Sequence, residues 1–301
     1  MPALSDFITD ARLDALIAAA REEDLGLAGL DATSRLMIDS SQPGRAAVVS
    51  RRPGVVAGLA LMPRVVAAYD PAVRLEATAV DGAAVSPGDR LAALAGPLAS
   101  ILTLERVALN FLGHLSGVAT HTAAFVDRVR GTGAEVVDTR KTLPGLRCLQ
   151  KYAVACGGGG THRMGLYDAV LIKDNHLAHL AGQPPEAWTA ALRGVAQRAR
   201  AEVPGLKFVM VEVDTLDQLD RVLPAGVDLI LLDNMDPATL REAVRRRDAA
   251  AERHGRVTLE ASGGVTLDTV RAIAETGVDR ISVGALTHSS VNLDVGLDIE
   301  T

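Results

Sequence analysis

DAVLIKDNH, residues 168–176, is a short apolar run that stops abruptly on charged and polar side chains. The same pattern recurs as EVVD at 135–138, KFVMV at 207–211, DLILL at 228–232, VTLE at 257–260 and DRISV at 279–283. Amphipathic stretches separate these runs, at roughly 145–156, 186–201, 215–223, 236–253 and 267–276. Short apolar strands alternating with helices predict a parallel sheet with helices outside it. Six such strands without a GxGxxG turn favour a barrel over a dinucleotide-binding sheet.

Each run ends in residues that a strand does not need for packing. Thr139, Arg140 and Lys141 follow the first run, and Lys173, Asp174, Asn175 and His176 follow the second. Glu212 and Asp214 end the third, Asp233 and Asn234 the fourth, Ser262-Gly263-Gly264 the fifth and Gly284-Ala285 the sixth. In a β/α barrel all strand C-termini open on one face, where the loops build the active site. These groups are therefore expected to converge. One polar strand end means little, because loops are polar anyway; six with this charge selection point to a site.

The convergent set has two chemistries. Arg140, Lys141, His162, Arg163 and Lys173 form a cationic group that would repel itself unless an anion bound there. Arginine offers a planar fork suited to carboxylates, and lysine a compact charge suited to phosphates. The chain has only four lysines, Lys141, Lys151, Lys173 and Lys207, and two of them fall in this group. A solvated basic patch is the bland alternative. Glu212 and Asp233 form an acidic pair suited to Mg²⁺ or to sugar hydroxyls, unless they simply pair with arginine. Ser262-Gly263-Gly264 precedes the helical stretch TLDTV, so glycine backbone and a helix N-terminus are both expected to receive phosphate. Residues 157–160 are four glycines and read as a flexible loop able to follow a ligand, or else as a linker.

Before residue 134 the pattern is mixed α/β. Helices are expected at 10–23 and 58–69, and strands at 46–51, 73–80 and 90–95. A helix starts near Ser100 with the stripe Ile101, Leu104, Ala108, Phe111 and Leu115. Gly113 and Gly117 suggest a break before a second helix at 118–130. The net charge of −6 argues against a general nucleic-acid binder. Two cysteines, Cys148 and Cys156, outside any CxxC pair argue against a disulfide framework and suit a reduced, cytoplasmic setting. No signal peptide and no membrane span are expected: the longest uncharged stretch, 108–126, carries too many polar groups for lipid.

DTRKTLPGLRCLQKYAVACGGGGTHRMGLYDAVLIKDNH, residues 138–176, resembles the signature of the quinolinate phosphoribosyltransferases, also called carboxylating nicotinate-nucleotide pyrophosphorylases. EEDLG (22–26), ERVALNFLGHLSGVAT (105–120), LLDNMDP (231–237), LEASGGV (259–265) and GVDRISVGALTHS (277–289) extend the resemblance in order along nearly the whole chain. The resemblance implies an N-terminal α/β sandwich domain, 1–116, packed on an open TIM-like β/α barrel, 117–289. The tail 290–301 would pack back on the first domain. It implies a decarboxylating pentosyltransferase that joins quinolinate to 5-phosphoribosyl 1-pyrophosphate. Nicotinate mononucleotide, pyrophosphate and CO₂ leave, with Mg²⁺ as cofactor, in NAD biosynthesis.

By motif, Arg140, His162, Arg163 and Lys173 would line the quinolinate carboxylate pocket, beside Thr139. Lys141 would sit by the pyrophosphate or the anomeric carbon. Glu212 and Asp233 would hold ribose hydroxyls and the metal, directly or through water. Ser262, Gly263, Gly264, Gly284 and Ala285 would receive phosphate, with His288 close by. Arg106 resembles the family arginine that reaches the partner's site in a homodimer, which could assemble further. Lys141, Glu212 and Asp233 are the candidate catalytic groups. Thr161 stands where Asn is expected, Gln150 where Glu is commoner, and EEDLGLAGLDATS lacks the usual Gly-Asp turn. The rival readings are a same-fold enzyme for another acid, such as those found with molybdenum transport systems, a non-catalytic anion-binding regulator, and an aldolase-type barrel using Lys173 as a Schiff base.

Overall fold

The computed structural model describes residues 2–180 and 182–300, with residue 179 described by its backbone alone. Residue 301 of the expected tail lies outside the described residues. The chain divides into two compact units. The first comprises Met1–Ala123, Thr142–Gly158 and Leu286–Thr301; the second comprises Ala124–Lys141 and Gly159–Ala285. Compactness therefore does not follow a single cut at 116/117. Thr142–Gly158, expected in the barrel, belongs with the first unit, where the Tyr152 hydroxyl donates to Asp81 Oδ2 at 2.6 Å and its ring meets Phe7 edge-on.

In the first unit α1 (Asp10–Leu25) buries Leu13 and Ile17, and α2 (Ala32–Met37) is capped by Asp31, whose carboxylate accepts the Ser34 amide. Strands β1 (Pro43–Ser50), β3 (Arg74–Ala77), β5 (Arg90–Pro97) and β12 (Val295–Glu300) form an antiparallel sheet in the order β12-β1-β5-β3. Strands β2 (Gly54–Val55) and β4 (Ala84–Val85) pair separately. The helix expected from residue 58 begins instead as a 3-10 turn, because Gly58 sits at φ +110°, and α3 proper is Met62–Tyr69. Val48, Leu75 and Leu94 of the sheet, Met62 and Val66 of α3, and Leu104 and Leu112 of the next helix line one small apolar cavity. Helix α5 (Arg147–Cys156) also belongs to this unit, and the residues of the short α11 (Ala285–His288) are divided between the two units.

That next helix, α4, is one unbroken element, Leu98–Val129. The break expected at Gly113 and Gly117 is absent. Both glycines are there for close approach. The Leu293 amide donates to the Gly113 carbonyl at 2.9 Å. A Cβ at Gly117 would overlap the Val291 carbonyl oxygen and lie 2.9 Å from Asn292 Cα.

The second unit contains β6 (Glu135–Val137), β7 (Val170–Ile172), β8 (Val209–Val213), β9 (Leu229–Asp233), β10 (Thr258–Ser262) and β11 (Arg280–Ser282). All neighbours pair parallel, in the order β6-β11-β10-β9-β8-β7. β6 and β7 are the two edges, so the barrel is open between them. Helices α6 (Asp174–Leu177), α7 (Pro185–Glu202), α8 (Leu216–Val222), α9 (Pro237–His254) and α10 (Val270–Ala274) provide the crossovers.

Strand alternation decides what the barrel encloses. Ala169, Leu171, Phe208, Met210, Leu229 and Leu231 share one face and form a continuous apolar cluster. Two residues further along β7, β8 and β9, that face carries Lys173, Glu212 and Asp233. On β6, β10 and β11 it carries Glu135, Glu260 and Arg280, and ends at Thr139, Ser262 and Gly284. The inner face is thus apolar on one side and ionic on the other.

Candidate active site

The strand ends of the second unit bring together Thr139, Arg140, Lys141, Lys173, Glu212, Asp233, Ser262, Gly263, Gly264, Gly284 and Ala285, as the parallel sheet dictates. Arg106 and His288 belong to the first unit. Arg106 projects from α4 with an exposed guanidinium. The His288 ring meets the Ser289 hydroxyl at 2.6 Å.

The open edge is filled by residues 160–169. Gly160 forms a parallel bridge to Val137, its amide donating to the Val136 carbonyl at 2.8 Å. A Cβ at Gly160 would come within 2.6 Å of Glu135 Cδ. Within the first unit, a Cβ at Gly157 would overlap the Ala119 carbonyl. The glycine run is therefore a tightly packed turn. It is not the ligand-following loop expected from sequence, because packed backbone and side chains occupy the space that such a loop would need.

The turn delivers His162 and Arg163 beside β6. The His162 amide donates to the buried Asp138 Oδ1 at 2.8 Å, and the Arg163 amide donates to His162 Nδ1 at 2.8 Å. His162, expected to line the carboxylate pocket, is 5% exposed. Its Nε2 faces Glu260 Oε1 at 3.6 Å, and its ring stacks edge-on against Phe208 with centroids 5.0 Å apart. Both ring nitrogens face protein groups, and His162 is as buried as Arg163 beside it.

Arg163 is 6% exposed, and its Nη1 donates to the Ala169 carbonyl at 3.1 Å. Burial lowers its pKa, the neighbouring Arg140 lowers it further, and Asp168 opposes both. A buried guanidinium pressed by a second one is the electrostatic signature of a place made for an anion. Asp168 anchors the segment. Burial alone would raise its pKa, but the Gly165 and Met164 amides and Lys207 outweigh burial and leave it below the usual carboxylate range.

On the opposite strands Lys173 Nζ pairs with Glu212 Oε2 at 2.6 Å. Sequence reasoning assigned these two to different substrates; the structure joins them. Asp233 Oδ2 accepts from Asn234 Nδ2 at 2.7 Å, and the Asn234 amide donates to the Ser262 carbonyl at 2.9 Å. Asn234 adopts a left-handed φ of 53°, rare for a side-chain-bearing residue and frequent at functional sites. Gly263 makes room for it: a Cβ there would lie 2.6 Å from Asn234 Cγ. Gly263 and Gly264 have φ of +97° and +58°. These are conformations in which backbone amides can line a concave anion seat. The helix N-terminus expected there is not, because α10 starts only at Val270.

Glu212 and Asp233, the acidic pair expected from the sequence, are both partly buried. Among the described residues no group of three or more His, Cys, Asp or Glu side chains could cage a metal. Two hard oxygen donors suit Mg²⁺, which takes its remaining ligands from water and substrate phosphate. Sequence reasoning overlooked Glu260, Arg280 and Asp138. A charged residue inside each of the short strand runs VTLE, DRISV and EVVD was the available signal.

The sequence matches the quinolinate phosphoribosyl transferase C-terminal domain over residues 118–298 and the N-terminal domain over residues 31–116. It is 45% identical to the nicotinate-nucleotide pyrophosphorylase [carboxylating] of Mycobacterium leprae, covering 98% of this chain and 100% of that protein. It is 38% identical to the quinolinate phosphoribosyltransferase [decarboxylating] 1b of Nicotiana tabacum, over 96% of this chain and 83% of that one. The fold is similar to the solved nicotinate-nucleotide pyrophosphorylase of Francisella tularensis, with a TM-score of 0.84 and 34% identity, covering 97% of this chain and 98% of the other. With both of its halves matched and a relative similar along its full length, the chain belongs to the quinolinate phosphoribosyl transferase family.

Proposed function

We propose that this protein catalyses the reaction of quinolinate with 5-phosphoribosyl 1-pyrophosphate to give nicotinate mononucleotide, pyrophosphate and CO₂, a step of NAD biosynthesis. The observation that carries the reading is the buried Arg163 guanidinium pressed by Arg140, an anion pocket at the strand-end face of a barrel from this family. Both substrates are polyanions. The protein's first task is to offset their repulsion and hold the ring nitrogen against the anomeric carbon.

In this reading Arg140 and Arg163 take the substrate carboxylates, with Thr139 beside them and His162 behind. Lys173, held by Glu212, borders the same pocket. Lys141 stabilises the departing pyrophosphate. Ser262, Gly263, Gly264, Gly284 and Ala285 receive phosphate oxygens, and His288 lies at the end of that segment. Glu212 and Asp233 stabilise the cation-like ribose through its hydroxyls, and they would also hold Mg²⁺. When bound, that ion neutralises pyrophosphate charge. The ring nitrogen forms its bond to the anomeric carbon as the bond to pyrophosphate breaks. The resulting pyridinium stabilises the electron pair left when the adjacent carboxylate departs as CO₂, and that carbon then takes up a proton.

A homodimer or higher oligomer that shares its sites through Arg106, in a cytoplasmic setting, belongs to this proposal. Cys148 and Cys156 are both free and buried, which suits a reducing compartment. No described helix is long and apolar enough to cross a membrane. Incubation with both substrates and Mg²⁺ should yield nicotinate mononucleotide and CO₂ in equal amounts. Neither product would overturn the reading, and nucleotide formed from nicotinate without CO₂ would redirect it to a related enzyme. Mixing inactive Arg106→Ala with inactive Lys141→Ala subunits should restore part of the activity, because one hybrid site then has both groups. No recovery in verified mixed dimers would rule out a shared site.

A further inference from the structure

The ionic side of the barrel interior contains a carboxylate that the proposed chemistry does not use. Glu260 is completely buried, and among the protein groups around it are the Ser282 hydroxyl, Arg280 and His162. Arg280 Nε lies 3.4 Å from Oε2, and His162 Nε2 lies 3.6 Å from Oε1. Burial pushes its pKa up to about 7; Arg280 and a hydrogen bond from Ser282 work against this, and Asp138 and Glu135 add to it. An apolar residue would fill this space at less cost, since taking a carboxylate out of water is unfavourable.

Its neighbour suggests why it is there. The Arg163 amide donates to His162 Nδ1, so the ring proton must reside on Nε2, the nitrogen facing Glu260. Phe208 holds the flat of the arrangement edge-on, and Asp138 holds the His162 backbone. The same ring nitrogen that accepts the Arg163 amide fixes where the Arg163 side chain starts. At 3.6 Å the approach of Nε2 to Glu260 is an ion-pair-range contact, and hydrogen bonds that orient a site are often long before substrate arrives.

We propose that Glu260 is a positioning residue for the pyridine-dicarboxylate half of the site: its carboxylate receives the His162 Nε2 proton and, through that ring, holds Arg163 where a substrate carboxylate meets it. The inference rests on the function proposed above. The competing role for Glu260 is to neutralise Arg280, and two variants separate the roles. Glu260→Gln keeps an oxygen acceptor without the charge; Glu260→Met keeps the volume with neither.

Steady-state kinetics of both variants and the imidazole ¹⁵N spectrum of the ligand-free wild type provide the test. Glu260→Gln should stay within about threefold of wild type in quinolinate KM. Glu260→Met should raise that KM at least about tenfold, with kcat and the KM for the ribose donor within about threefold. His162 should show the Nε2-protonated tautomer. Equal damage in both variants would assign Glu260 to Arg280, and an unchanged KM in Glu260→Met would remove the positioning role. An Nδ1-protonated His162 would overturn the proposal even if Glu260→Met failed to fold. A wild type that does not turn over quinolinate would overturn the functional reading and the substrate assignment with it, and the tautomer, read without substrate, tells the two failures apart.

Discussion

Arg163→Ala should lower kcat/KM for quinolinate at least about thirtyfold, equivalent to roughly 2 kcal/mol of transition-state stabilisation. The size follows from where the guanidinium sits. It is buried, and the groups around it leave it short of negative charge: Arg140 repels it, and Asp168 is already engaged by two amides and Lys207. A substrate carboxylate entering there loses water and gains a two-pronged partner. With alanine it loses the water and gains nothing. Arg163→Lys should recover only part of the loss, because an ammonium restores charge without the planar fork. The KM for the ribose donor should change little. Near wild-type kinetics in Arg163→Ala would remove this residue from the carboxylate pocket.

The second large effect concerns stability. Gly117→Ala should destabilise the protein by about 3 kcal/mol or more, since overpacking against backbone has no flexible neighbour to absorb it. The added methyl would overlap the Val291 carbonyl and press on Asn292 Cα. Thermal unfolding should shift down by roughly 5 °C or more. Gly194→Ala is the control: it lies in α7 with nothing within 4 Å of the new Cβ, so it should stabilise by about 0.5–1 kcal/mol. An unchanged melting temperature in Gly117→Ala would mean that residues 291–292 do not cross α4 at this point.

These two glycines also show what can be read from a sequence. Gly113 and Gly117 read locally as a helix break, and Gly194 could have been read the same way. What separates them is a segment about 175 residues downstream that rests on Gly113 and Gly117 and not on Gly194. The glycines at 157–160 pose the same problem, because a flexible loop and a close-packed turn have the same letters. The barrel strands were legible because each is an apolar run with a charged or glycine stop, and alternation carries Lys173, Glu212 and Asp233 to one face. The membership of Thr142–Gly158 in the first unit was not legible, since Tyr152 finds its partner in Asp81, far back in the chain. The ion pair of Lys173 with Glu212 was hidden for a related reason: each residue suited a substrate by itself, and only the β7–β8 register sets them side by side.

The pairing of β12 with β1 matches Arg45 with Glu300. During synthesis, β1 emerges early and can join β5 at once, yet its other edge has no partner until almost the entire barrel has been made. At ordinary translation speeds that interval is roughly tens of seconds. Throughout it, a strand carrying Ala46, Ala47, Val48 and Val49 presents a bare row of amides and carbonyls. The sheet that β1 opens is thus completed only after the barrel strands have been made. During that interval the unpaired edge of β1 is a template for pairing with another chain.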